Sequence, residues 1–243
     1  MSASQTKAGR LSPHLAAISV SEKRLPALLA VVAGMVDLIG FLNLGNVFTA
    51  HITGNLVVLG AALVRGGPIN LAPALAIPTF AVTVATIWLF APTMAARNGG
   101  LRQRLLFAQF WLLAAVFIFS VITQPSEDPH GLAAGLGVLI AASAMACQNA
   151  MLHMTVTGAP STAVMTGNLV SGVLGLLDAF SPDASTRGNA AGRISGFLPL
   201  LVGFFFGCVV AAAAVSLLRD WAWIFTAALA ALAVVVRWIP EEG

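Results

Sequence analysis

Charge is what this sequence has least of. Only 9% of its 243 residues are Asp, Glu, Lys or Arg, against 58% hydrophobic, and the mean hydropathy is +0.92. That balance lies outside the range of soluble globular domains and implies a polytopic membrane protein. Polar stretches are scarce too, almost none being longer than a connection, so these residues leave no room for a separate soluble domain. Cys147 and Cys208 are the only cysteines. Both fall inside apolar runs, where they behave as small hydrophobes and form neither a disulfide framework nor a metal spacing. The nine carboxylates lie mostly in loops, and no nucleophile elbow, phosphate-binding loop or His-Glu-x-x-His pattern occurs. An enzyme, a cofactor and a metal are therefore not expected. Twelve Lys and Arg give a net charge of +3, but they sit in short clusters between apolar runs, so they report topology rather than nucleic-acid binding.

Apolar runs long enough to cross a bilayer at roughly 20 residues each lie at about 26–45, 71–96, 101–123, 132–157, 192–218 and 220–239. Before them, residues 1–24 read as a flexible cytoplasmic tail, with a short surface helix from Pro13 to Ser21. Trp221 and Trp238 flank the last run about 26 Å apart at 1.5 Å per residue, the spacing of interfacial anchors.

One pattern is written twice. TAHITGNLV, from Thr49, returns 113 residues later as TAVMTGNLV, from Thr162, with seven of nine letters identical. The same offset carries each of the first three strong runs onto another apolar run. The chain thus reads as two like halves, 25–123 and 132–243, joined by the polar linker 124–131.

The segments holding TGN, at 47–64 and 162–180, are barely long enough to span and are broken by Gly in a polar triplet. Positive charges arbitrate, because Lys and Arg accumulate in cytoplasmic loops. If both segments are re-entrant and the N-terminus is inside, ten Lys and Arg are cytoplasmic and only Arg65 and Arg219 are outside. If all eight segments cross, the count is eight against four. The expected fold is therefore all-α, with two inverted repeats, six full spans and two broken re-entrant TGN segments. The alternative is eight spans in two parallel four-helix repeats.

Within this frame, polar groups at membrane depth are the candidate site. Asp37 lies mid-run in LPALLAVVAGMVDLIGFLNL, where a carboxyl is costly and a proton carried on it would suit proton coupling. Thr53, Gly54 and Asn55 repeat as Thr166, Gly167 and Asn168. Thr offers an N-cap, Gly permits close approach or positive φ, and Asn supplies donors and acceptors. Matching Ala146 to Gly34 sets Asn149 against Asp37, with Gln148 beside it and His153 one turn along the same helix face. His51 precedes the first TGN, but Val164 holds its repeat position, which argues against a symmetric metal site.

Broken helices meeting near the midplane from opposite sides recur in transporters and channels. The functional expectation is a secondary transporter of a small polar or anionic solute. The alternatives are a channel, or a structural or regulatory protein whose TGN segments are helix-packing elements. A hydrated cavity at Asp37 and both Asn residues separates transport from packing, which would leave those groups paired and dry. The partners implied are the lipid bilayer and the solute, and a homo-oligomer is compatible with the sequence.

The stretch AGMVDLIGFLNLGNVFTAHITGNLVVLG resembles the signature region of the YoaK-like family of bacterial membrane proteins, a domain family of unknown function. Gly34, Asp37, Phe48, Thr53, Gly54 and Asn55 carry the resemblance, and the later CQNAMLHM and MTGNLV fit it. What it implies is a bacterial inner-membrane location and no established substrate.

Overall fold

The computed structural model describes residues 20–65, 71–96, 100–155, 165–181 and 183–236. All regular structure among them is helical: α1 (Val20–Asn43), α2 (Gly54–Arg65), α3 (Leu71–Ala96), α4 (Leu101–Thr123), α5 (Leu132–Thr155), α6 (Met165–Ala179), α7 (Ala184–Leu218) and α8 (Trp223–Val236), with a 3-10 turn at Arg219–Ala222 between the last two. Among the described residues five stretches are long and apolar enough to cross a bilayer: Leu25–Asn43, Leu71–Thr93, Leu101–Thr123, Leu132–Thr155 and Ala190–Val236, the last holding both α7 and α8. This is a polytopic helical membrane protein.

The expected runs coincide with α1, α3, α4, α5, α7 and α8 to within a few residues, apart from two helix starts. Helix α1 begins at Val20, inside the stretch expected to be tail, because polar Ser21, Glu22, Lys23 and Arg24 suit a helix end as well as a loop. Helix α7 begins at Ala184, some eight residues before the apolar run it carries. The surface helix expected from Pro13 and the anchor Trp238 lie outside the described residues.

Helices α1 and α5 form the centre: two-thirds of the apolar window of each is buried, against 17% for α3. Their directions follow from named contacts. Gln148 of α5 donates to the Leu29 carbonyl of α1, whereas Gly137 meets the Leu44 side chain, so α1 and α5 are antiparallel. Gly203 and Gly207 of α7 lie against the carbonyls of Ala27 and Val31, so α7 runs parallel to α1. At one end of the bundle, Asp220 of the 3-10 turn is reached by Asn43 at the close of α1 and by Ser126 of the α4–α5 loop. Leu75 near the start of α3 lies at the same end, close to Gly135. At the other end Leu25, Leu105, Leu152 and Val234 share one apolar cluster with Ile87 of α3. Helices α1, α4 and α7 therefore run one way and α3, α5 and α8 the other. Helix α1 thus ends and α3 begins at the Asp220 end, whereas α5 ends and α7 begins at the Leu152 end.

The α1–α7 contact is close because it is made of glycines. A Cβ on Gly34 would collide with the carbonyl of Phe204, one on Gly207 with that of Val31, and one on Gly203 would stand 2.9 Å from that of Ala27. Small residues let helix backbones touch where apolar side chains gain nothing over lipid.

Candidate functional site

Helix α1 stops where Gly45 adopts φ 85° and Asn46 φ 60°. The Asn46 N–H returns to the Phe41 carbonyl at 3.0 Å, a Schellman-type ending that glycine permits. The chain then runs without helix from Val47 to Thr53, yet Val47, Thr49 and Ala50 are buried in the main core. Unpaired backbone there would cost several kcal/mol per group, and two side chains prevent it.

Asp37 supplies the first set of acceptors. Its Oδ1 accepts from the N–H of Thr49 at 2.8 Å and of Ala50 at 2.6 Å, and its Oδ2 accepts from the N–H of His51 at 3.2 Å. The His51 ring adds Nδ1 at 2.6 Å from Oδ2. Asn55 supplies the second set: its Oδ1 accepts from the Phe48 N–H at 2.9 Å while its Nδ2 donates to the Phe48 carbonyl at 2.6 Å. The amide thus mimics a neighbouring strand. Gly54 is required beside it, since a Cβ there would lie 2.9 Å from the Phe48 ring. Asp37 is 3% exposed and Asn55 fully buried. The His51 side chain keeps 24% of its surface exposed, and its ring meets Phe204 of α7 edge-on at 4.8 Å.

The expected site residues thus divide. Asp37, His51, Gly54 and Asn55 form one knot. Thr53 is exposed, and the turn into α2 is closed by backbone, with Gly54 N–H on the His51 carbonyl and Leu56 N–H on that of Thr53. Gln148 belongs to a different network: it accepts from Gln109 of α4 at 2.7 Å and donates to Leu29 at 3.0 Å. Asn149 donates to its own helix at Met145, and its Oδ1 is buried without a partner among the described residues. His153 is exposed in the last turn of α5. Thr166 and Gly167 are exposed on α6, and Asn168 is buried at 8%. The stretch that would match the Asp37-bound loop, 156–164, lies outside the described residues.

Three polar residues with structural roles were passed over in the sequence: Gln109, Asn43 and Asp220. Asp220 is 4% exposed and accepts from the Ser126 hydroxyl at 2.5 Å. Gln109 and Asn43 interrupt apolar runs, the same signal that singles out Asp37, whereas Asp220 lies beside Arg219 at the junction of the last two runs. Close to Asp220, a pocket of about 130 Å³ opens between Gln124, Glu127 and Arg219.

Residues 25–236 match the family described as "Protein of unknown function (DUF1275)". The chain belongs to this family. A stretch of 39 residues covering 16% of this chain is 59% identical to the "UPF0700 transmembrane protein YoaK" of Bacillus subtilis (strain 168). The aligned stretch spans 17% of that relative's length. No solved structure matches the chain.

Proposed function

We propose that this DUF1275 protein is a secondary transporter of a small polar or anionic solute in the bacterial inner membrane, and not an enzyme. It crosses six times, keeps both termini in the cytoplasm and holds its two TGN segments as re-entrant elements. The observation that carries the reading is the run of helix directions. Helix α1 ends and α3 begins at one end of the bundle, while α5 ends and α7 begins at the other. Helix α2, 12 residues long, extends about 18 Å, well short of the roughly 30 Å hydrocarbon core. Exchanging the halves also preserves the packing: α1 on α7 becomes α5 on α3, α4 on α5 becomes α8 on α1, and α2 on α3 becomes α6 on α7. Inverted repeats with paired broken segments are a transporter design.

Convergence of the two motifs is supported by register. Gly172 faces Phe197 and Gly175 faces Ile194, so the antiparallel α6–α7 pairing sets Asn168 within about one turn of Phe204, the ring that touches His51.

A second reading has its own observation. Asp37 and Asn55 are buried and fully paired, as they would be in a protein whose TGN segments only fasten helices. Three variants decide: Asp37→Asn, Asn55→Ala and Asn168→Ala, tested against whatever growth or uptake phenotype deletion of the gene produces. Transport predicts that Asp37→Asn and Asn168→Ala stay folded in the membrane with no complementation, while Asn55→Ala, which strands both Phe48 groups, is present at a lower level and also fails to complement. Full complementation by all three removes the solute site, and loss of folded Asp37→Asn and Asn168→Ala favours packing.

A further inference from the structure

We propose that Asp37 and His51 form a proton-binding site in which the proton is taken up at Nε2 of His51 while Asp37 stays a carboxylate. Its use as a coupling site rests on the transport reading above.

Every partner that Asp37 has in the backbone is an N–H, which can only donate. Two such groups fill Oδ1, and Oδ2 holds a third together with the His51 ring. This set of donors suits an ionised carboxylate and assigns the hydrogen of the neutral ring to Nδ1, because the nitrogen facing a carboxylate oxygen at 2.6 Å must donate. Nε2 is then the free base. It belongs to a ring with a quarter of its surface open, whereas Asp37 has almost none. Uptake converts the pair from a net charge of −1 to zero, without moving the three backbone bonds. In an apolar surrounding that change removes an uncompensated charge.

The titratable groups packed nearby leave this pair to act alone. On α7, Cys208 lies 3.5 Å from the Gly34 carbonyl, one turn below Asp37. On α5, Gln148 sits beside Leu29, about 12 Å along α1 from Asp37. Cys147 is its neighbour and His153 lies further on in the same direction. Asp220 is at the far end of α1 with Asn43 and Ser126. The second half offers Asn149 and Val164 at the matched positions, so the stoichiometry is one proton per chain.

The test uses the full-length chain in lipid nanodiscs, with ring-¹⁵N histidine and no solute. The signal lost in His51→Gln identifies the ring. Lowering the pH from about 8 to about 5, the range in which imidazoles change charge, should protonate Nε2 while Nδ1 keeps the shift of a hydrogen-bonded N–H throughout. Infrared difference spectra of the wild type over the same range should show no new carboxylic-acid C=O band that Asp37→Asn abolishes. In that variant the fixed acceptor of Nδ1 is gone, and the neutral ring should mix its two tautomers. A His51 ring that keeps one protonation state, a proton change at Nδ1, or an acid band assigned to Asp37 overturns the proposal. Should Asp37→Asn not fold, the wild-type and His51→Gln ¹⁵N titrations still decide it. An intact titration with no solute-dependent phenotype removes the transport reading alone. A silent His51 removes the proton site and leaves transport resting on topology.

Discussion

Replacing Asp37 with Ala should be among the most damaging single changes in this protein, and its size can be worked from the knot. The substitution strands the N–H groups of Thr49, Ala50 and His51 in a core where Thr49 is fully buried and Ala50 is 2% exposed. A buried donor left unmatched costs about 1–3 kcal/mol, so three give about 3–9 kcal/mol. Asn55→Ala strands two groups, the N–H and carbonyl of Phe48, for about 2–6 kcal/mol. His51→Ala removes one side-chain bond and leaves all three backbone bonds to Asp37, for about 1–2 kcal/mol. Thr53→Ala, at an exposed position, should fall within about 0.5 kcal/mol of wild type. Denaturant unfolding in detergent, followed by far-UV circular dichroism and tryptophan fluorescence, ranks the four. The order Asp37, Asn55, His51, Thr53 is the expectation. If Asp37→Ala proves no worse than Thr53→Ala, or if His51→Ala matches Asp37→Ala, the carboxylate is not what holds the loop.

Other outcomes follow from the same geometry. Gly207→Ala, whose new methyl meets the Val31 carbonyl, should lose about 1–3 kcal/mol by overpacking, whereas Gly196→Ala on the same helix, with open space around it, should be neutral or stabilising in the same unfolding assay. Gln148→Leu leaves the Gln109 amide without its acceptor and should cost about 1–3 kcal/mol, recovered in large part by Gln109→Leu in the double variant. Single cysteines introduced as Gly67→Cys or Ser185→Cys, with Cys147 and Cys208 replaced by Ala, report orientation in intact cells treated with a membrane-impermeant thiol reagent. Inverted halves predict labelling at 67 alone, with both positions reactive in lysed cells, while equal behaviour at the two positions contradicts inversion.

Long apolar periodicity made the helices legible from composition alone, because nothing but a helix satisfies twenty apolar residues' backbone in lipid. TGN stood out twice against a background of Ala, Leu and Val: the first copy sits at the break before α2, whereas the second lies within the first turn of α6 and the stretch before it is outside the described residues. The knot's chemistry was half legible: Asp37 and Asn55 were flagged as polar at depth, but their partners are backbone groups of the loop between them, and a main-chain N–H leaves no letter in the sequence. Separation hid the role of Asp220, whose side-chain partners Asn43 and Ser126 are 177 and 94 residues away. Thr53 was assigned the capping role by residue type. In the structure the loop's amides are already bound by a carboxylate two turns before the end of α1, and the Thr side chain faces outward.

The glycine seam between α1 and α7 has a mechanical meaning. The two backbones touch with almost no side chain between them over Ala27–Val31 and Gly203–Gly207. A joint of that kind has no compliant layer: neither partner can roll or slide without driving carbonyl oxygens into opposing backbone. Helices α1 and α7 are thereby riveted along their contact, and any rearrangement of this bundle has to carry the two as one body.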